Sequence, residues 1–199
     1  MKNKQLNRIA TYSALTLIVC EIILMLISWL LTATMTDGVA SLLSAEGIRF
    51  LLGNFSQNVS TPQLVWILLL SMAYGSVRQS GLYSSMRSDN IYRKGLALKL
   101  TFAVGIVLLV VLLFLTVQPH AVLLSSTGRL WPSPFSRALV PVLSGYVIIL
   151  AVIYGTVTRR FTTFESFFST LSYGIRCAAP LFFLYLLAAQ LYSSFCFVF

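Results

Sequence analysis

Apolar runs of about 18 residues or more recur along the sequence. Runs of this length are typical of α-helices that cross a bilayer, because about 20 residues match the thickness of its hydrocarbon core. Only 10% of the 199 residues are charged, against about 25% in average soluble domains. The sequence therefore predicts an all-α, polytopic membrane protein and excludes a soluble enzyme.

The apolar runs predict five spans within a single membrane domain, residues 1–199. They lie at about residues 11–33, 63–77, 96–117, 138–157 and 177–199. Residues 36–62 are too polar to span, but their apolar residues recur at helical spacing, which predicts a short amphipathic helix at the membrane interface. A second one is predicted over residues 162–174, with Thr162 as its N-cap. Gly81 is predicted near the C-cap that ends the helix of the second span.

The beginning and the end of the sequence each lead to a further prediction. The first apolar run follows a positively charged start, as in a signal peptide. It is too long for a signal core and no small-x-small cleavage site ends it, so we predict a retained first helix. The last predicted span runs to Phe199 with no polar tail, so we expect that a longer ancestor continued beyond it.

The basic residues predict the orientation of the chain. There are 14 Lys and Arg against 5 Asp and Glu, a net charge of +9. With the N-terminus in the cytoplasm, the five spans place 11 basic residues on that side and 3 on the other. Cytoplasmic loops are enriched in Lys and Arg, so we expect a protein of the inner (plasma) membrane whose C-terminus lies outside. The same residues can contact lipid headgroups, and we expect no nucleic-acid partner.

The sequence contains few residues that could bind a metal ion or take part in catalysis. The cysteines, Cys20, Cys177 and Cys196, all lie in apolar segments, and His120 is the one histidine. No Cys/His spacing of a metal site, glycine-rich phosphate loop or Ser/His/Asp arrangement occurs. The sequence therefore predicts no metal, no cofactor and no enzyme.

Two polar residues in the predicted spans are candidates for a substrate or ion path. Glu21 lies midway along the first span, where an ionised carboxylate costs several kcal/mol unless it is paired. It would serve as an ion or proton site, or as a hydrogen-bonding group between two helices. Polar atoms also lie on the fifth span, at Gln190, Tyr185, Tyr192, Ser193 and Ser194. Hydrogen bonding between helices explains them as well as a substrate path does.

Two blocks of short motifs occur in a fixed order. The first, residues 44–82, contains SAEGIRFLLGNF and ends in SGL. The second combines GRLWPSPF at 128–135, VP at 140–141, YG at 154–155 and LFFLYLLAAQL at 181–191. Together they resemble the p-aminobenzoyl-glutamate transporter family, AbgT. The positions that fit in the first block are Ser44, Glu46, Gly47, Arg49, Leu51, Leu52, Asn54, Phe55, Gly75, Ser80, Gly81 and Leu82.

The resemblance implies a secondary transporter for p-aminobenzoyl-glutamate or a related aromatic acid, working as a dimer. Family members are longer and carry hairpin segments both between the two blocks and after the second one. Between the blocks this chain has only residues 83–93 in place of a hairpin, and after the second block it ends. A shortened member reduced to its scaffold helices is therefore implied. No binding residue of the family carries over, because the matching positions are absent.

Two functions from different classes follow from these observations. The first is transport of a small aromatic acid, coupled to an ion gradient. The second is a membrane scaffold without transport activity, which forms a homodimer or joins another membrane subunit. A membrane enzyme has no nucleophile, metal cluster or acid pair to support it, and a truncated gene without a selected function is the remaining alternative.

Overall fold

The computed structural model describes residues 2–35, 38–82, 92–117 and 134–199. His120 and residues 83–91 lie outside this description, as does most of the GRLWPSPF motif. Seven α-helices form within the described ranges. They are α1 (Lys2–Ala33), α2 (Ala45–Gly53), α3 (Phe55–Val59), α4 (Pro62–Ser80), α5 (Tyr92–Val117), α6 (Pro134–Val157) and α7 (Phe164–Val198).

Four of these helices are long and apolar enough to cross a membrane. The qualifying segments are Arg8–Ala33, Gly95–Phe114, Ala138–Val157 and Phe164–Val198. Their most apolar windows are only 6% to 22% buried within the protein. Apolar helices that leave this much surface uncovered are expected in lipid, where each helix satisfies its own backbone hydrogen bonds. The prediction of an all-α, polytopic membrane protein is confirmed.

The helices differ from the predicted elements in two places. The second predicted span lies in α4, a helix of 19 residues that is not among the four membrane-length helices. The last predicted span and the amphipathic segment before it form one continuous helix, α7, with Pro180 inside it. Its N-cap is Thr163, whose hydroxyl accepts from the Ser166 N–H at 3.4 Å, and not the predicted Thr162.

The chain forms two compact units. The first contains Met1–Ile67 and Ala178–Phe199, and the second contains Leu68–Cys177. The prediction of a single domain with five spans stays a prediction.

In the first unit, the chain after α1 folds back onto α1. The Leu42 N–H donates to the Ser28 hydroxyl at 3.1 Å, and both residues are fully buried. Two residues earlier, the Ala40 N–H donates to the carbonyl of Val198 at 3.2 Å. This region was predicted as one amphipathic helix, and it forms two short helices instead, α2 and α3. Ser44 caps α2 by accepting from the Gly47 N–H, and Phe50 stacks on Phe197 of α7 with ring centroids 4.4 Å apart.

In the second unit, glycines set the spacing of the helices. Gly75 of α4 faces Gly174 of α7 so closely that a Cβ on Gly75 would lie 2.6 Å from the Gly174 nitrogen. The Tyr146 hydroxyl of α6 donates to the Gly105 carbonyl of α5 at 3.2 Å. Gly81 has φ +76 directly after the last residue of α4, in agreement with the predicted C-cap.

Candidate functional site

Glu21 meets the C-terminal part of α7 within the first unit. Gln190 and Ser194 are four residues apart on α7, so they lie on the same face of that helix. Glu21 of α1 contacts this face through the Ser194 hydroxyl, which donates to its Oε1 atom at 2.6 Å. Ser194 is fully buried. Two helices at opposite ends of the sequence thus form one polar cluster, Glu21, Gln190 and Ser194.

The two helices run parallel where they meet. Residues 17–22 of α1 share a cavity with Leu187 and Gln190, and Glu21 bonds Ser194. Further along α1, the Ser28 hydroxyl accepts a hydrogen bond from the Leu42 N–H. The N–H of Ala40, two residues before Leu42, donates to the carbonyl of Val198 at the end of α7. Residues further along α1 therefore lie close to residues further along α7, which means that the two helices run in the same direction.

The polar cluster borders a cavity of about 230 Å³. Its lining is apolar apart from two side chains: the residues are Leu17, Ile18, Glu21, Ile22, Leu187 and Gln190. Both polar residues named from the sequence, Glu21 and Gln190, thus lie at the same cavity. A second cavity of about 410 Å³ also lies between α1 and α7, lined by Leu17, Cys20, Leu24, Ala188, Leu191, Tyr192 and Phe195.

Two oxygen atoms of the cluster are buried and lack a hydrogen-bond partner among the described residues. They are Oε2 of Glu21 and Oε1 of Gln190. Buried polar groups in proteins are nearly always paired, and those that are not call for an explanation. Carboxylate and amide oxygens are ligands for hard cations, and a proton on the carboxyl would turn Oε2 into a donor. The two oxygens are therefore of the chemical type that binds a proton or a small cation.

Of the other polar side chains named on α7, Tyr185 forms hydrogen bonds and Tyr192 is exposed. The Tyr185 hydroxyl hydrogen-bonds the Thr61 hydroxyl and also donates to the Val59 carbonyl at 3.5 Å. Tyr185 therefore joins α7 to the start of α4, as expected for hydrogen bonding between helices. Tyr192 is 71% exposed and lines the larger cavity. Within the described ranges, no group of three or more His, Cys, Asp or Glu side chains could hold a metal ion.

The pairing of Glu21 with Ser194 was missed by sequence reasoning. In the sequence Ser194 is one of several polar residues on the last span, and 173 positions separate it from Glu21. The available signal was the four-residue spacing of Gln190 and Ser194, which places two polar groups on one face of an otherwise apolar helix.

Long apolar helices, polar groups held between them and no strand in the described ranges define a polytopic membrane protein of the kind that includes transporters. A sequence model of the AbgT putative transporter family matches residues 83–198, more than half of the chain. The chain therefore belongs to the AbgT family. The second motif block lies inside the matched range, and the first block, residues 44–82, lies outside it.

A solved structure supports the fold. The chain is similar to the crystal structure of the Alcanivorax borkumensis YdaH transporter, described as having an unusual topology, with a TM-score of 0.73. The two sequences are 16% identical over 92% of this chain and 70% of that chain. At this identity the likeness shows the fold. No curated protein matches the sequence.

Proposed function

We propose that the protein is a transport protein for p-aminobenzoyl-glutamate or a related small aromatic acid, located in the inner membrane. The observation that carries the proposal is the match of residues 83–198 to a family of transporters. The apolar helices and the fold agree with a membrane transporter. The proposal assigns no catalytic reaction to the chain.

We further propose that Glu21 and Gln190 line the polar path. Both lie at one cavity between apolar helices, and each has a buried oxygen without a partner among the described residues. A carboxylate at bilayer depth is expensive, and such residues commonly mark the pathways of ions or substrates. Glu21 would then bind the coupling proton or cation while Ser194 holds one of its two oxygens.

The experiment is uptake of labelled p-aminobenzoyl-glutamate into proteoliposomes, with and without a proton or sodium gradient. We expect saturable uptake above empty vesicles. Glu21→Gln keeps the size of the side chain and an oxygen that can accept from Ser194, so the fold should survive. It removes the ionisable oxygen, so gradient-driven uptake should fall to the level of empty vesicles.

Glu46→Gln is the matched control, because Glu46 is an exposed glutamate in the first turn of α2. It should leave uptake unchanged. Equal uptake by the wild type and Glu21→Gln would contradict the role of Glu21 while leaving transport itself supported.

The second candidate function is a scaffold without transport activity, acting as a homodimer or with another membrane subunit. The observation that favours it is the 2.6 Å bond from Ser194 to Glu21, which joins two helices as a structural contact would. This candidate predicts a folded, oligomeric protein with no uptake above empty vesicles. In that case Glu21→Gln would alter thermal stability or oligomeric state only.

A further inference from the structure

Three arginines lie at one end of the second unit, where α4 and α6 end and α7 begins. Arg160 donates from Nη1 to the carbonyl of Gln79 at 3.4 Å, and its guanidinium lies against Gly81. Arg78, in the last turn of α4, is hydrogen-bonded to Tyr173 of α7. Arg159 lies next to Arg160 in the turn between α6 and α7. Arg78, Arg159 and Arg160, the arginine cluster, are all exposed.

The cluster is cationic at every physiological pH. The hydrogen bond with Tyr173 raises the pKa of Arg78 above its already high ordinary value. No carboxylate forms a salt bridge with the three arginines in the part of the chain that the structure describes. Glu165 is the acidic residue in the first turn of α7.

Arg159 occupies a backbone position where glycine is the usual residue. The N–H groups of Arg159 and Arg160 donate to the carbonyls of Thr156 and Gly155 at 3.0 and 2.8 Å. This pattern is a Schellman motif with Arg159 at C′, and Arg159 has the left-handed φ of 55 that the motif needs. A residue other than glycine is strained at C′. The arginine at this position therefore indicates that its side chain has a role of its own.

Exposed phenylalanines follow Arg159 and Arg160 in the sequence. Phe164 and Phe168 are four residues apart at the start of α7, on one face of the helix, and are 82% and 65% exposed. Arginines next to exposed aromatic side chains are typical of surfaces that sit at the boundary between headgroups and acyl chains. The positive end of the dipole of α7, a helix of 35 residues, lies at the same place.

We propose that the arginine cluster, with Phe164 and Phe168, binds the phosphate headgroup of an anionic phospholipid. A guanidinium group can donate two parallel hydrogen bonds to phosphate oxygens, and the N-terminal end of a helix also favours a negatively charged group. The phenylalanines contact the acyl chains, which selects a lipid over free phosphate. This lipid site is separate from the Glu21 cluster and does not depend on transport activity.

The test is retention of phosphatidylglycerol against phosphatidylcholine by the purified full-length protein in mixed micelles, measured by native mass spectrometry. The key variant is Arg159→Gly. Each basic residue near an anionic surface contributes a factor of about five in affinity, so retention of phosphatidylglycerol should fall about fivefold. The melting temperature should stay the same or rise, because glycine adopts the left-handed conformation without strain.

Arg49→Gln is the matched control, since Arg49 is an exposed arginine on α2 in the first unit. It should leave the lipid preference unchanged. Unaltered retention in Arg159→Gly would overturn the proposal, and so would an equal fall in Arg49→Gln, which would indicate a general effect of charge. Displacement of phosphatidylglycerol by an equal concentration of inorganic phosphate would show a phosphate site without lipid selectivity and would also overturn it.

Discussion

At the scale of single residues, Ser28 shows how a hydroxyl group on a membrane-length helix holds the chain that follows it. Its hydroxyl group donates to the Met25 carbonyl at 2.8 Å, and its oxygen accepts from the Leu42 N–H at 3.1 Å. Ser28 and Leu42 are both fully buried. The hydroxyl therefore satisfies a backbone donor that no solvent reaches.

Ser28→Ala should leave the Leu42 N–H buried and unpaired, which costs about 1–3 kcal/mol. We expect a lower melting temperature of the purified protein and faster amide exchange at Leu42. Thr34→Ala is the control, because Thr34 is exposed just after α1 and its hydroxyl donates to the carbonyl of Leu31, three residues earlier, at 2.9 Å. Equal melting temperatures for the two variants would show that the Leu42 N–H does not depend on Ser28.

The residue scale also shows what sequence reasoning could and could not predict about the site. Glu21 and Gln190 could be named from the sequence, because polar groups in apolar runs stand out against their neighbours. The structure brings both to one cavity, while their role stays a prediction. The partner of Glu21 could not be named, since a hydrogen bond across 173 positions leaves no local pattern in the sequence.

At the scale of helices, α7 shows why one boundary was missed. A polar segment ending in Gly174, followed by an apolar run, favours two helices, since glycine commonly follows a helix end. Gly174 is instead inside α7, and a Cβ there would overlap the carbonyl oxygen of Ser71 on α4. The glycine allows two backbones to approach, a tertiary requirement that resembles a helix stop in the sequence. Gly81 could be predicted because its role is local: it has φ +76 after α4.

Gly174→Ala should separate α4 from α7 in the second unit. Its Cβ has no free space beside Ser71, so we expect a destabilisation of about 1–3 kcal/mol, typical of overpacked contacts. Thermal unfolding in detergent measures the effect. Gly145→Ala is the control, because nothing lies within 4 Å of a Cβ at Gly145, and it should be neutral or stabilising by up to about 1 kcal/mol. A Gly174→Ala protein as stable as Gly145→Ala would refute the close contact.

At the scale of the whole molecule, the parallel contact of α1 and α7 bears on the number of membrane crossings. Two parallel helices that both cross must be separated by an odd number of crossings. In the described part of the chain, α5 and α6 contain two membrane-length segments between them, so we expect α4 to supply the third crossing. We therefore expect five crossings, although α4 is less apolar than the other four helices.

This topology can be tested with single cysteines on either side of α4. In a variant with Cys20, Cys177 and Cys196 replaced by alanine, we expect Glu46→Cys to react with an impermeant reagent on intact cells. Gln79→Cys should react only after permeabilisation, because the charge distribution predicts that this residue lies in the cytoplasm. Glu46 and Gln79 are both exposed, so either cysteine would be accessible. Reaction of both from the same side would mean that α4 does not cross.

The bond between Glu21 and Ser194 also has a consequence for how the protein is made. Synthesis proceeds from the N-terminus, so α1 enters the bilayer long before residue 194 leaves the ribosome. During that interval the carboxyl of Glu21 has no hydroxyl from α7 to bond. The acidic side chain of Glu21 therefore stays without this partner in the bilayer until α7 has been made.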